Sequence, residues 1–202
     1  TANTTGTENV ATGKGALESN TTGSYNHAFG VNAGYSITTG STNIAIGNAT
    51  LSTATTAGGN TAVGHSVLAA NTSGSSNVGV GANVLTANTT GTENVAIGMQ
   101  SCDAQTTASY NTALGFDTLG SNVLGSRNVA IGRAALQVMN PTSAVNMYNV
   151  AIGFGAGESV TTGIENTLIG GLAGDAITTG DANIALGYNS LAADTAGNGS
   201  IA

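Results

Sequence analysis

The chain is patterned by a five-residue core in which an Asn, a β-branched residue, a small residue, an aliphatic and a Gly follow one another. It reads NVATG from Asn9, NHAFG from Asn26, NIAIG from Asn43, NTAVG from Asn60 and NVGVG from Asn77. It continues as NVAIG from Asn94, NTALG from Asn111, NVAIG from Asn128 and again from Asn149, NTLIG from Asn166 and NIALG from Asn183. Neighbouring copies are 17 residues apart, except Asn128 and Asn149, which are 21 apart. A short period held from end to end is the mark of a solenoid, in which each repeat contacts mainly its neighbours. Residues 1–202 therefore read as one array: a partial unit 1–8, eleven repeats, and a partial unit 200–202. The expected fold class is all-β, a parallel β-solenoid of 17-residue coils.

Positions are numbered here from the Asn of each repeat. Position 2 is Val, Ile or Thr in all repeats but one, and position 3 is Ala in nine of eleven. Side chains alternate across a strand, so positions 2 and 4 form one apolar face and positions 1, 3 and 5 form a face of small groups. The repeat core is clearest in Asn94, Ala96, Ile97 and Gly98, in Asn128, Val129, Ala130, Ile131 and Gly132, and in Asn149, Val150, Ala151, Ile152 and Gly153. Neither face carries charge, so the strand reads as covered on both sides. One coil encloses only one side of its strand. The Ala side suits a cramped interior, which leaves Val129, Ile131, Val150 and Ile152 to pack on a partner; the reverse assignment also satisfies the pattern. Either way self-association is expected.

After the Gly comes a second short segment with a small residue at position 8 and usually Leu at position 9. Where position 9 is Gly (Gly34, Gly157, Gly174), an aliphatic residue stands three places later, at Ile37, Val160 and Ile177. That is volume compensation: one apolar plug per coil, delivered from either of two backbone positions. The closing NTTGS or ITTGS loop is a turn in which the Gly at position 15 is expected to take a positive φ. The position 1 Asn residues are expected to stack as a hydrogen-bonded ladder. The longer repeat carries QVMNPTSAVNMY (137–148), a bulged loop that leaves the register intact. Its Asn140, Pro141, Met147 and Tyr148 are candidate surface contacts, because there the surface departs most from its neighbours. At about 4.8 Å per strand, eleven coils give a rod of roughly 50 Å.

Composition narrows the function. Charged residues make up 6% of the chain, and Lys14, Arg127 and Arg133 are its basic side chains against a net charge of -7. That leaves little to neutralise phosphates, which argues against nucleic acid as a partner and against anionic lipid. No apolar run approaches the ~20 residues needed to cross a bilayer, so this segment is not expected to insert in a membrane. Cys102 takes a position that is usually Leu and reads as a core residue. The chain opens and closes in mid-repeat, which suggests a window cut from a longer fibre.

Catalysis needs acid, base or nucleophile groups that converge away from the repeat consensus. His27 and His65 fall in different coils at different positions, and Glu8, Glu93 and Glu165 stand before the Asn in coils far apart. Asp175 and Asp181 come nearest to a loose Ca²⁺ site, although no calcium-loop motif surrounds them. Gly153–Gly157 (GFGAG) has no phosphate-loop Lys after it. No enzyme activity, cofactor or metal is expected.

The Asn-x-Ala-Ile-Gly core with a downstream Ala-Leu and an NTTG loop resembles the repeats of bacterial and phage surface fibres. It is similar to the YadA-like head of trimeric autotransporter adhesins and to repeats of phage tail-fibre proteins, over the whole chain. Repeats in those heads are generally shorter, which places the extension here in the NTTG loop. The resemblance implies a left-handed β-roll, three copies around one axis, and attachment. The function expected is that of a structural and adhesive segment of an extracellular fibre, on a cell surface or a virion, with itself as partner and a host-surface glycan or receptor as a further one. Two other readings stand beside it. One is an ice-binding solenoid that uses the Thr pairs at positions 13 and 14, such as Thr21 and Thr22. The other is a β-helical polysaccharide-degrading enzyme.

Overall fold

The β-branched residue at position 2 and the aliphatic at position 4 favour extended backbone, and in the computed structural model, which describes residues 3–202, each repeat contributes one short strand there. These are β1 (Val10–Thr12), β2 (His27–Phe29), β3 (Ile44–Ile46), β4 (Thr61–His65), β5 (Val78–Ala82), β6 (Val95–Ile97) and β7 (Thr112–Leu114). The series continues with β9 (Val129–Ile131), β11 (Val150–Ile152), β12 (Thr167–Ile169) and β13 (Ile184–Leu186). Together they form one 11-stranded sheet in chain order. Every pairing is parallel and joins equivalent positions, as in Ala96 with Ala113 and Ala113 with Ala130. The chain is thus a parallel β-solenoid of 17-residue coils. The long repeat does not disturb the register, since Val150 pairs with Val129. Its extra residues supply β10 (Val145–Asn146), which forms a side pair with β8 (Gly125–Ser126) of the repeat before.

Burial decides which face is inside. Ala28, Ala62, Ala96, Ala130 and Ala151 are buried, while Ile44, Ile97, Leu114 and Ile184 are exposed on the other face of the same strands. The small face lines the interior, and the strand is not covered on both sides by its own chain. There is no room for the reverse: a Cβ added at Gly79, a position 3 residue, would already lie 2.5 Å from Val67 Cγ1.

The interior is filled by the position 9 plugs, Leu51, Leu68, Leu85, Cys102, Leu119 and Leu136, and by Ile37, Val160 and Ile177 where position 9 is Gly. A Cβ on Gly34 would sit 3.0 Å from Ile37 Cδ1 and 3.0 Å from Leu17 Cδ2, so plug and glycine occupy one volume. The compensation extends further than the 9/12 pair. Leu168 replaces Ala at position 3 and fills the space beside Gly157 and Gly174, and Gly79 makes way for Val67 and Val84 at position 8.

A polar ladder runs beside this core. Asn94 donates from its backbone N–H and from Nδ2 to Asn77 Oδ1, both at 3.0 Å, and from Nδ2 to the Ala108 carbonyl at 3.0 Å. Its own Oδ1 accepts from the Asn111 N–H at 3.0 Å. The same pattern ties Asn60 to Asn43, Asn128 to Asn111 and Asn183 to Asn166. From Asn26 on, each Asn therefore fastens its coil to the preceding one, and all but Asn128, whose Nδ2 donates to the Ser126 carbonyl, fasten the strand to its own closing turn. Because the position 1 Asn already satisfies the position 15 carbonyl, as Asn26 does for Gly40 at 2.8 Å, position 12 can alternate between Asn and an aliphatic without leaving that carbonyl bare.

The turn differs from expectation. Gly23, Gly40, Gly74 and Gly91 at position 15 do not have positive φ; the left-handed residues of each repeat stand at positions 7, 9 and 17, among them Leu51 (φ 47°), Leu68 (φ 52°) and Tyr110 (φ 63°). At Gly40 a Cβ would run into the Ala57 carbonyl one coil on, whereas Ala57 and Ala108 themselves stand at position 15 of their coils. A non-glycine residue in the left-handed region costs about 1–2 kcal/mol, so the packed plugs and the ladder must hold these turns in place.

Gly34→Leu is expected to overpack its coil and lower unfolding stability by about 1–3 kcal/mol. In Gly34→Leu/Ile37→Asn, which restores the Leu and Asn arrangement of Leu68 and Asn71, most of that loss should return. Chemical denaturation of both variants checks this, and an equal loss in both would contradict shared volume.

Candidate interaction surface

Four columns of side chains run along the outer face of the sheet: position 17 of the preceding turn, positions 2 and 4 of the strand, and position 6 after the Gly. Positions 2 and 4 make an aliphatic floor in which Ile44, Val95, Ile97, Leu114, Ile169 and Ile184 are exposed, Leu114 at 45%. The core residues singled out from sequence divide accordingly. Asn94, Ala96, Asn128, Ala130, Asn149 and Ala151 are buried, Ile97 is exposed, and Val129, Ile131, Val150, Ile152 and the glycines Gly98, Gly132 and Gly153 are half-buried.

Both edges of the floor carry aromatic and basic groups at the same level of the rod. On the position 17 edge, the Arg127 guanidinium lies over the rings of Tyr110 and Tyr148, 4.6 and 5.9 Å from their centroids. On the position 6 edge, Arg133 lies 5.7 and 5.4 Å from the rings of Phe116 and Phe154. Parallel strands about 4.8 Å apart place equivalent side chains at stacking distance, so an Arg flanked by aromatics in the adjoining repeats is sandwiched. Glu93 and Glu165 stand two repeats away on either side of Arg127 in the same column.

Of the four candidate contacts in the long repeat, Asn140 and Tyr148 are exposed, whereas Pro141 and Met147 are buried and offer no surface. Met147 turns inward with Met139 because Gly125 leaves space there; a Cβ on Gly125 would lie 3.1 Å from both side chains. Tyr148 belongs to the position 17 column rather than to the loop. The Arg–aromatic stacks were not apparent in the repeat consensus, although reading Tyr110, Arg127 and Tyr148 as one column would have revealed them.

The remaining polar groups are mostly committed to the backbone. Position 13 hydroxyls donate to the position 13 carbonyl one coil on, as Thr21 does to Thr38 at 3.1 Å and Thr161 to Thr178 at 3.0 Å. The position 14 column, including Thr22, Thr39 and Thr90, is exposed, whereas in the position 13 column Thr21, Thr38, Thr89 and Thr161 are half-buried and Thr55 and Thr72 exposed, so the two Thr columns do not form one flat array. Asp181 accepts from the Ile164 N–H at 2.8 Å. His27 and His65 both lie exposed on the outer face, two coils apart and in different columns. Among the described residues, no three His, Cys, Asp or Glu side chains converge as metal ligands would. Asp103 has its carboxyl pushed up by burial and then by nearby Asp117, which accepts a hydrogen bond from Gln137 Nε2. Beside the first coil an open depression of about 360 Å³ is lined by Asn9, Ala11, Leu17 and Asn20.

Cys102 is fully buried, and burial pushes its thiol up to about 12. Since the thiolate is the reactive form, the folded protein should leave a disulfide-exchange reagent unreacted at pH 8 and release one thiol per chain only on unfolding; rapid labelling of the native protein would contradict the buried placement. The chain has no match among protein-family models, curated proteins or solved structures.

Proposed function

We propose that this chain is a structural and adhesive segment of an extracellular surface fibre, one that associates with further copies of itself through the outer face of its sheet. The observation that carries this reading is the aliphatic floor. It runs the length of a rod of roughly 50 Å, and at ten of eleven levels, all but that of His27 and Phe29, it presents branched side chains that a single copy gains nothing by displaying. Exposed apolar patches of that extent mark association surfaces. Burial of apolar area at about 25 cal/mol per Å² supplies the driving force. Rigid coils tied by the Asn ladder suit a load-bearing rod, and repeated outer surfaces multiply weak contacts in attachment. Three parallel copies, as the likeness to trimeric adhesin heads implies, and two copies face to face would both cover such a floor.

Light scattering at tens of micromolar should give a mass of two or more chains. Ile97→Glu/Ile131→Glu places four charges or more in the contact and should yield a folded monomer by circular dichroism and scattering. A wild-type protein that stays monomeric would overturn the reading.

A further inference from the structure

The outer columns read alike in both directions about one repeat. In the position 2 column, Val95 and Val129 stand at equal distances on either side of Thr112, and so do Val78 and Val150. Two repeats further out, Thr61 mirrors Thr167 and Ile44 mirrors Ile184, so identical residues face each other at every level over nine repeats. At position 4 the mirrored pairs are Ile97 with Ile131, Val80 with Ile152 and Val63 with Ile169, about Leu114. A contact between two identical copies related by a two-fold axis sets each residue against its mirror image.

The edge columns are complementary under the same operation rather than alike. With the axis along β7, Arg127 of one copy faces Glu93 of the second and Glu93 faces Arg127. Tyr148 then meets Ser76, Glu165 meets Gly59, Phe154 meets Ala82 and His65 meets Gly171. At the axis Tyr110 and Phe116 meet their own copies and beside it Arg133 meets Met99; further out large groups meet small ones, and no like charges meet. Other arrangements do worse. An axis one repeat on, through Val129, sets Arg127 against its own copy and Glu93 against Glu165. Parallel copies at equal height bring the Arg127 edge of one beside the Arg133 edge of the next. An axis through Val150 pairs Arg127 with Glu165 but overlaps only about half as many repeats. Nine repeats span about 43 Å, and the floor with its edges, some six residues of strand, is at most ~20 Å wide. That is ~800 Å² per copy, the size of a standard stable interface.

We propose that the outer face is a self-recognition surface on which a second copy docks antiparallel, with the two-fold axis along the Thr112–Leu114 strand and reciprocal Arg127–Glu93 pairs. This rests on the self-association proposed above and specifies its orientation and register. It is also the orientation in which rods standing on two facing surfaces meet.

Orientation is read by cross-linking three variants with a short bismaleimide: Thr61→Cys, Thr167→Cys and Thr61→Cys/Thr167→Cys. Cys102 is buried and does not compete. In the antiparallel pair, residue 61 of one copy lies against residue 167 of the other, while the two copies of residue 61 are about 29 Å apart. The double variant should form covalent dimers at least about tenfold faster than either single variant, as a short spacer requires of reactive groups brought together. Efficient cross-linking of Thr61→Cys alone would show parallel copies and overturn the proposal, and so would association by light scattering with no cross-link in any variant. A monomer in light scattering would instead remove the self-association itself. Register is read by charge exchange: Arg127→Glu should raise the dissociation constant at least about tenfold, and Arg127→Glu/Glu93→Arg should return it to within about threefold of wild type. An unrestored double variant that is folded by circular dichroism would overturn the Arg127–Glu93 register.

Discussion

The constraint on which this molecule depends is the narrowness of its coil. Seventeen residues per turn enclose little more than one plug and one methyl group at each level, which is why position 3 is Ala and position 9 is Leu. Branched residues at positions 2 and 4 of the strand therefore point outward, and one points inward from position 3, Leu168, where Gly157 and Gly174 leave space for it. The apolar outer face is thus a by-product of a thin interior, and the self-association proposed above would cover it.

The same thinness explains the bookkeeping of side-chain volume along the rod. Where Gly34, Gly157 or Gly174 removes the plug, Ile37, Val160 or Ile177 supplies it, and Leu168 draws on two such vacancies at once. Interiors packed at crystal-like density tolerate such exchanges only when the total volume is kept. The Asn ladder makes the exchange possible, because it satisfies the turn carbonyl whichever residue occupies position 12. It also holds turns whose non-glycine residues sit at positive φ. Polar fastening and apolar filling are therefore separable tasks, carried by positions 1 and 9.

Much of the fold was legible because the chain says the same thing eleven times. The strand, its parallel register, the Asn ladder and the paired use of positions 9 and 12 all follow from columns within one sequence. The turn chemistry was less legible. Leu51 and Leu68 take left-handed backbone because their side chains must reach the core, a tertiary demand that overrides local preference, and the position 15 Gly answers to the next coil's carbonyl rather than to its own φ. Met147 looked like loop surface, yet Gly125 one repeat earlier had vacated a space for it. The Arg–aromatic stacks and the mirrored columns lie in departures from the consensus, which a search for the common repeat averages away.

Solvent contact at the branched residues tests the account most directly. Carbene footprinting across a dilution series should label Val95, Ile97, Val129 and Ile131 in dilute protein and progressively spare them as concentration rises, while labelling of the exposed Thr22 and Thr39 column stays constant. Labelling of the branched residues that does not change with concentration, in protein that remains folded, would contradict the claim that a thin coil needs a second chain to cover it.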